Sequence, residues 1–225
     1  MTYDYYSEKL SAERLEFCYE LAPPRVQKYL SAEIEHVVSL IPRGAVVLEL
    51  GCGYGRVLER IATGSALACG IDTSLGSLRL ARNRLASAAN VVIAGMDASN
   101  PAFRAGTFDV VCCVQNGISS FHVDQRALME AAVMLAKPTG KVLFSSYAEE
   151  FWENRLEWFR IQSAQGLVGE IDDSATKDGT IVCKDGFTAT TVTPRQFSAL
   201  ARGLGEKISI DVIDGSSVFC EITAK

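Results

Sequence analysis

Apolar residues recur along this 225-residue chain in two alternating rhythms. Over the first forty residues they return at helical spacing, first as Leu10, Leu15, Phe17 and Leu21, then as Val26, Leu30, Ile34, Val37, Val38 and Ile41. Pro23 and Pro24 separate the two sets, so two helices are expected. From residue 45 the rhythm changes. AVVLEL is a short apolar run ending in the glycine cluster GCGYG, and RVLERIA then resumes the helical period, which reads as strand, tight turn, helix. ALACGID and NVVIAGMD each end in an acidic residue, with the helical stretch SLRLARNRLASA between them. FDVVCCVQ ends in polar residues and is followed by the helical DQRALMEAAVMLAK, a Pro138-Thr139-Gly140 turn and the strand KVLFSSY. Alternation of this kind demands a parallel sheet covered by helices on both faces, with any ligand outside the carboxyl ends of the strands.

After Tyr147 the alternation breaks. Residues 148–192 read as an insertion: a helix carrying Phe151, Trp152, Leu156, Trp158 and Phe159, then TIVCKDGFTATTV, in which Asp185-Gly186 joins two strand-like runs as a tight hairpin. The chain returns to helix at Thr193-Pro194, a good cap and first-turn pair. It closes with ISIDVI and SVFCEIT around Asp214-Gly215, expected as an antiparallel pair at the sheet edge. The fold class expected is therefore α/β, a three-layer Rossmann-like sandwich. Its sheet has seven strands, mostly parallel with an antiparallel edge strand, in one domain over 1–225, with N-terminal helices over 1–43 and the 148–192 insertion after the fifth strand.

Composition narrows the partners. Hydrophobic residues are 48% and charged residues 22%, enough for a sizeable core. The 22 Lys and Arg against 27 Asp and Glu, net −5, give no basic footprint for nucleic acid. From 147 to 180, eight acidic residues face three basic ones, as much excess as the whole molecule carries; a cationic partner or a solvated face would each explain it. No window approaches the roughly 18 uninterrupted apolar residues of a membrane span, and the start lacks a basic then apolar leader, so a cytoplasmic protein without membrane contact is expected. Seven scattered cysteines without a C-x-x-C pair imply reduced thiols and no metal site. Cys112 and Cys113, adjacent in a strand, point to opposite faces and cannot clasp one atom.

The glycine cluster carries the candidate chemistry. Glu49-Leu50-Gly51-Cys52-Gly53-Tyr54-Gly55 follows a buried strand and opens a helix, where glycines let backbone approach a ligand. A dinucleotide site wants G-x-G-x-x-G, yet the sixth position from Gly51 is Arg56. Glu49 would repel a pyrophosphate and suits a ligand carrying an ammonium or sulfonium cation. Asp72 ends the second strand, 21 residues past Gly51, and Asp97 follows the third.

With these residues the chain resembles, over about 44–146, the class I S-adenosylmethionine-dependent methyltransferases. ELGCGYG looks like motif I, FDVVCCVQNGI like motif IV, and Leu135-Ala136-Lys137-Pro138-Thr139-Gly140 like the L-x-P-G-G turn, with Thr139 replacing a glycine. The resemblance implies S-adenosyl-L-methionine as cofactor and S-adenosyl-L-homocysteine as product. It places Glu49, Gly51, Cys52, Gly53 and Gly55 at the glycine turn, and Asp72 with Thr73 at the ribose hydroxyls. Met96, Asp97 and Ala98 would flank the adenine, Asp97 accepting from the exocyclic amine, and Gln115 would complete the cofactor site.

The reaction so implied is an in-line methyl displacement onto a small-molecule acceptor, driven by positioning in a site emptied of water. The acceptor is expected beyond the fourth strand, near Gln115 to His122. His122 would be general base or substrate-orienting group, or else a solvent-facing residue beside the helix cap Asp124. Asn116 would bind substrate or satisfy the loop backbone. His36 reads as structural. Motif IV lacks Asn/Asp-Pro-Pro-Tyr, the signature that resembles amino methylation of nucleobases or glutamine. Tyr147 and the insertion aromatics would wall the acceptor side or simply pack in a core. Residues 1–43, with Tyr5, Tyr6, Tyr19 and Arg25, would close as a lid. A cofactor-binding protein without turnover, or a methyltransferase of protein side chains, are the competing functions.

Overall fold

The computed structural model describes residues 10–225; Tyr5 and Tyr6 lie outside them. Two N-terminal helices, α1 (Glu13–Glu20) and α2 (Pro24–Leu40), break at the proline pair, with Pro24 at the first turn of α2, where its missing N–H costs nothing. The repeat then runs β1 (Val46–Leu50), α3 (Arg56–Ala62), β2 (Leu67–Asp72), α4 (Leu75–Arg84), β3 (Val91–Gly95), β4 (Phe108–Cys113), a short α5 (Gly117–Ser120), α6 (Gln125–Leu135) and β5 (Ala136–Tyr147). A single 3₁₀ turn leads into α7 (Trp152–Ala164), followed by the hairpin β6 (Ile181–Val182) and β7 (Thr188–Ala189). Then come α8 (Pro194–Ala201), β8 (Lys207–Ile213) and β9 (Ser217–Thr223).

The main sheet has seven strands in the order β3-β2-β1-β4-β5-β9-β8. The pairings from β3 to β5 are parallel, while β9 runs antiparallel between β5 and the edge strand β8. This is the three-layer Rossmann-like sheet expected from the sequence. Alternate strand residues feed two cores. Leu48, Val111, Cys113 and Phe144 pack with Leu128 and Met129 of α6 and Phe197 of α8. Val47, Val110 and Cys112 pack with Val37 of α2, Leu58 of α3 and Ala81 of α4. Cys112 and Cys113 thus lie on opposite faces, as their adjacency in a strand requires.

Helix starts follow side-chain chemistry. Asp124 accepts from the Ala127 N–H at the start of α6, Ser74 caps α4, and Thr193 with Gln196 forms a reciprocal capping box on α8. The Pro-Thr-Gly segment differs from expectation. It lies inside β5, whose ladder to β4 begins at Phe108↔Ala136 and shifts register before Val110↔Lys141. Thr139 takes φ 63° there, the conformation for which a glycine is the ordinary choice. His36 is structural: its Nε2 lies 3.0 Å from Glu221 Oε1.

The insertion and α1 share a core of their own, in which Leu10 and Cys18 meet Phe159, Ile171, Ile181 and Phe187. Trp158 Nε1 donates to the Cys18 carbonyl at 2.9 Å, tying α7 to α1. Arg155, fully buried, donates to the carbonyls of Gly179 and Ala189, each at 2.8 Å, and so holds the hairpin to α7. Among the described residues no helix is long and apolar enough to cross a membrane.

Candidate functional site

Strand order decides where a site can form. β1 lies between β2 and β4, so the chain leaves β1 to one side and later returns to the other, opening a crevice at the carboxyl ends. A cavity of about 350 Å³ occupies that crevice. Glu49, Gly51, Cys52 and Gly53 line it from the glycine turn, Asp72 and Thr73 from the end of β2, and Met96, Asp97 and Ala98 from the end of β3. Gln115, Asn116 and His122 line it from the loop after β4. The sequence candidates therefore converge on one rim, Gly55 excepted.

Gly55 belongs to the packing. It caps α3 at φ 87°, and a Cβ there would stand 2.8 Å from Leu85 Cδ1. Gly51 is the residue of close approach: it takes φ 75°, and a Cβ would lie 2.4 Å from the Phe121 Cζ. Its N–H and that of Cys52 both donate to the Ile71 carbonyl, extending the β1–β2 ladder into the turn. Asp72 fixes the turn's next residue, accepting from the Gly53 N–H at 2.9 Å and from the Ser74 N–H at 2.8 Å. Asp97, exposed, accepts from the Ser99 N–H and hydroxyl through one oxygen.

Glu49 is 3% exposed, and its Oε2 has no hydrogen-bond partner among the described residues. Burial pushes its carboxyl up to about 8, Arg56 pulls it down and Asp72 pushes it further up. Arg56, which also lines the cavity, stacks its guanidinium 4.5 Å from the Tyr19 ring centroid. Its Nε and one Nη are buried without a partner among the described residues. The Glu49 carboxyl and the Arg56 guanidinium thus influence one another electrostatically without closing a salt bridge.

The loop after β4 is held in an unusual shape. Gln115 and Asn116 both take positive φ, 55° and 62°. The Gln115 N–H donates to Glu33 Oε2 at 3.0 Å and Ser145 Oγ at 2.9 Å. Glu33 is buried on α2 and also accepts from Ser217 Oγ; burial raises its carboxyl to about 7 against the pull of those donors. Asn116 is buried, accepts from Ser146 Oγ at 2.7 Å and donates to the Thr190 carbonyl at 2.9 Å. Asn116 thus engages β5 and the insertion rather than its own loop's backbone. His122 is exposed on the rim at φ 53°, and its ring makes no hydrogen bond among the described residues.

Tyr19 covers the cavity, 5.8 Å from Trp158 and 5.9 Å from Tyr54 between ring centroids. Arg25, the other described lid candidate, turns away: it pairs with Asp214 at 2.8 Å and lies over Phe151. Tyr147, Trp158 and Phe159 line the cavity, whereas Phe151 packs into the core with Tyr29. None of the eight acidic residues of 147–180 lines it, and all but the half-buried Asp172 are exposed, so that excess is a solvated face. The sequence reading passed over Glu33, Arg56 and Gln162. Glu33 interrupts the apolar stripe Val26, Leu30, Ile34, Val37, and Arg56 is a cation in the first turn of a helix, where the dipole disfavours it; both were visible signals.

Residues 47–140 match the family model described as a methyltransferase domain. This segment belongs to the class I S-adenosylmethionine-dependent methyltransferases. Beyond it, the ubiquinone biosynthesis O-methyltransferases of Erwinia tasmaniensis and Xanthomonas axonopodis pv. citri are 36% and 34% identical over 106 and 129 residues. Those stretches cover 46% and 56% of this chain and 42% and 50% of the relatives, so the chain spans about half the length of the curated relatives it matches. Among solved structures, a protein of Pyrococcus horikoshii OT3 superposes at TM-score 0.65 and 17% identity over all of this chain and 97% of its own. The N-methyltransferase NodS of Bradyrhizobium japonicum WM9, solved with S-adenosyl-L-homocysteine, superposes at 0.56 and 15% identity, covering 90% and 88%. These likenesses establish the fold. The matched segment ends before the insertion, whose own core is shared with α1.

Proposed function

We propose that the chain is an S-adenosylmethionine-dependent methyltransferase acting on a small-molecule acceptor. The observation that carries this reading is the buried Glu49 Oε2, without a hydrogen-bond partner among the described residues, in a cavity also lined by Arg56, whose Nε and one Nη likewise lack a partner there. Leaving such groups unpaired is costly, so a ligand that pairs both is expected. The aminoacyl end of the cofactor, with one ammonium and one carboxylate, supplies that pair of charges. Asp72, at the end of β2, suits ribose hydroxyls; Asp97 has one oxygen without a partner among the described residues, open to an exocyclic amine. Met96 and Ala98 give an adenine apolar flanks.

When bound, S-adenosylmethionine supplies a methyl group on a sulfonium sulfur, open to in-line displacement. The chain's own residues hold the acceptor and keep water out. Tyr19 and Trp158 close the cavity roof, and exclusion of water favours a reaction in which charge disperses. His122, exposed on the cavity rim with an uncommitted ring, takes the acceptor's proton as general base. Asn116 is a positioning residue: it ties the loop that carries His122 to β5 and to the insertion. The relatives named ubiquinone biosynthesis O-methyltransferase support a small-molecule acceptor, while the insertion that walls the acceptor side lies outside the matched domain.

Calorimetry tests the cofactor. S-adenosylhomocysteine is expected to bind and NAD not; tight NAD binding without response to S-adenosylhomocysteine overturns the proposal. Arg56→Gln is expected to weaken S-adenosylhomocysteine while sparing methylthioadenosine, which lacks the aminoacyl end. His122→Ala is expected to slow turnover at unchanged cofactor affinity, and equal turnover at saturating acceptor removes it as base.

A further inference from the structure

We propose that Glu33, on α2, is a positioning residue for the aminoacyl end of the cofactor. It fixes the Gln115 peptide so that the Gln115 side-chain amide donates to the ligand's carboxylate beside Arg56. This rests on the methyltransferase reading and assigns two residues to that same site. Gln115 is the point of contact: it lines the cavity, and its Nε2 is buried without a hydrogen-bond partner among the described residues. A buried amide donor left unpaired is costly, so an oxygen of the bound ligand is its expected partner. Arg56 lines the same cavity, and its positive charge reaches Glu33, whose Oε2 lies 3.0 Å from the Gln115 nitrogen. Gln115 and Arg56 therefore share one side of the cavity, where Arg56 awaits the ligand's carboxylate, and that carboxylate is the oxygen assigned to the Gln115 amide.

The case for Glu33 is geometric. Gln115 and Asn116 are consecutive non-glycine residues at positive φ, a backbone shape that persists only where its surroundings hold it. Asn116 is held by Ser146 and the Thr190 carbonyl, and Gln115 by Glu33 Oε2 and Ser145 Oγ. Glu33 is fully buried, and its partners among the described residues are neutral donors: the Gln115 N–H, the Ser217 hydroxyl and the Ser145 hydroxyl. Burying a carboxyl without a paired cation is costly. The Gln115 N–H does not require it, because Ser145 Oγ at 2.9 Å already satisfies that donor. What Glu33 adds is a second anchor, from α2 and β9, on a peptide that β5 holds through Ser145; two anchors fix the peptide's direction where one leaves it free to turn. Glu33, Ser145 and Ser217 all lie outside residues 47–140, so the clamp comes from parts of the chain beyond the matched domain.

Calorimetry on the full chain, with S-adenosylhomocysteine and methylthioadenosine as probes, tests this through a double-mutant cycle. Gln115→Ala is expected to weaken S-adenosylhomocysteine about tenfold, the scale of one hydrogen bond to a charged group, and to spare methylthioadenosine, which lacks the carboxylate. Glu33→Leu is expected to weaken S-adenosylhomocysteine by a similar factor in the wild-type background and by nothing further in Gln115→Ala, because it acts only through that amide. Glu33→Gln, whose side-chain oxygen still accepts from the Gln115 N–H, is expected to bind as the wild type does. Unchanged affinity in Gln115→Ala, equal losses from Glu33→Leu in both backgrounds, as a merely structural role gives, or a loss shared by methylthioadenosine overturns the proposal. Should Glu33→Leu not fold, Ser217→Ala reads the same clamp by releasing Glu33 Oε1. It is expected to weaken S-adenosylhomocysteine only where Gln115 is present, and no loss, or a loss that persists in Gln115→Ala, overturns the proposal. Failure of the wild type to bind S-adenosylhomocysteine overturns the methyltransferase reading and this assignment with it, whereas binding with an additive cycle overturns the assignment of Glu33 alone.

Discussion

Replacing Glu49 by glutamine is expected to stabilise the ligand-free protein, and by more as pH rises. In the folded chain the Glu49 carboxyl keeps its proton up to about pH 8, because burial outweighs the pull of Arg56, whereas the ordinary carboxyl releases it near 4.5. Between those values the folded state holds a proton that the unfolded chain has lost, so each pH unit drains stability from the native protein. At about 1.4 kcal/mol per unit, Glu49 costs the fold under 1 kcal/mol at pH 5, about 3 kcal/mol at pH 7 and about 5 kcal/mol at pH 9. Glutamine has the same shape and no such titration. Urea unfolding of the wild type and Glu49→Gln at the three pH values reads the difference directly. Glu33, whose carboxyl is also raised, to about 7, contributes to both proteins and cancels. A stability difference independent of pH, or a Glu49→Gln protein less stable at pH 9, would refute the placement of this carboxyl in a buried, unpaired state. Such a cost is what a binding group kept ready for a cation carries until its ligand arrives.

Three further outcomes follow from contacts elsewhere. Gly51→Ala is expected to destabilise by about 2 kcal/mol, combining left-handed backbone with a Cβ driven into Phe121; Phe121→Ala in the same chain should restore only the steric share, as thermal unfolding would measure. Arg155→Met leaves the Gly179 and Ala189 carbonyls without their donor, and a loss of about 3 kcal/mol with faster proteolysis of the hairpin is expected; an unchanged cleavage rate would show that Arg155 does not hold the hairpin. Thr139→Gly is expected to gain about 1 kcal/mol, since a β-branched residue there strains the backbone at φ 63°, and a fall in melting temperature would contradict that strain.

Much of the site was legible because its parts are local. A carboxylate two positions before a glycine turn, an acidic residue at the end of the next strand and another after the third are each features of a few consecutive residues. Parallel strands place all their carboxyl ends on one rim, so naming the strands was enough to gather Glu49, Asp72 and Asp97. Gly55 was misassigned to the site because spacing alone does not distinguish a glycine that faces a ligand from one that faces Leu85 across a helix. Arg25 was misassigned to the lid because its partner, Asp214, comes from the far end of the chain.

Hydrophobic period, helix caps and the hairpin turn are properties of short windows, and the sequence alone determined them together with the fold class. The tertiary structure decided which polar groups end with partners. Glu33 meets Ser217 across 184 positions, Arg155 finds carbonyls in a hairpin, and Glu49 Oε2 and Arg56 Nε find none among the described residues. Pairing and desolvation depend on what the folded chain brings within about 3 Å, and no local pattern encodes that distance.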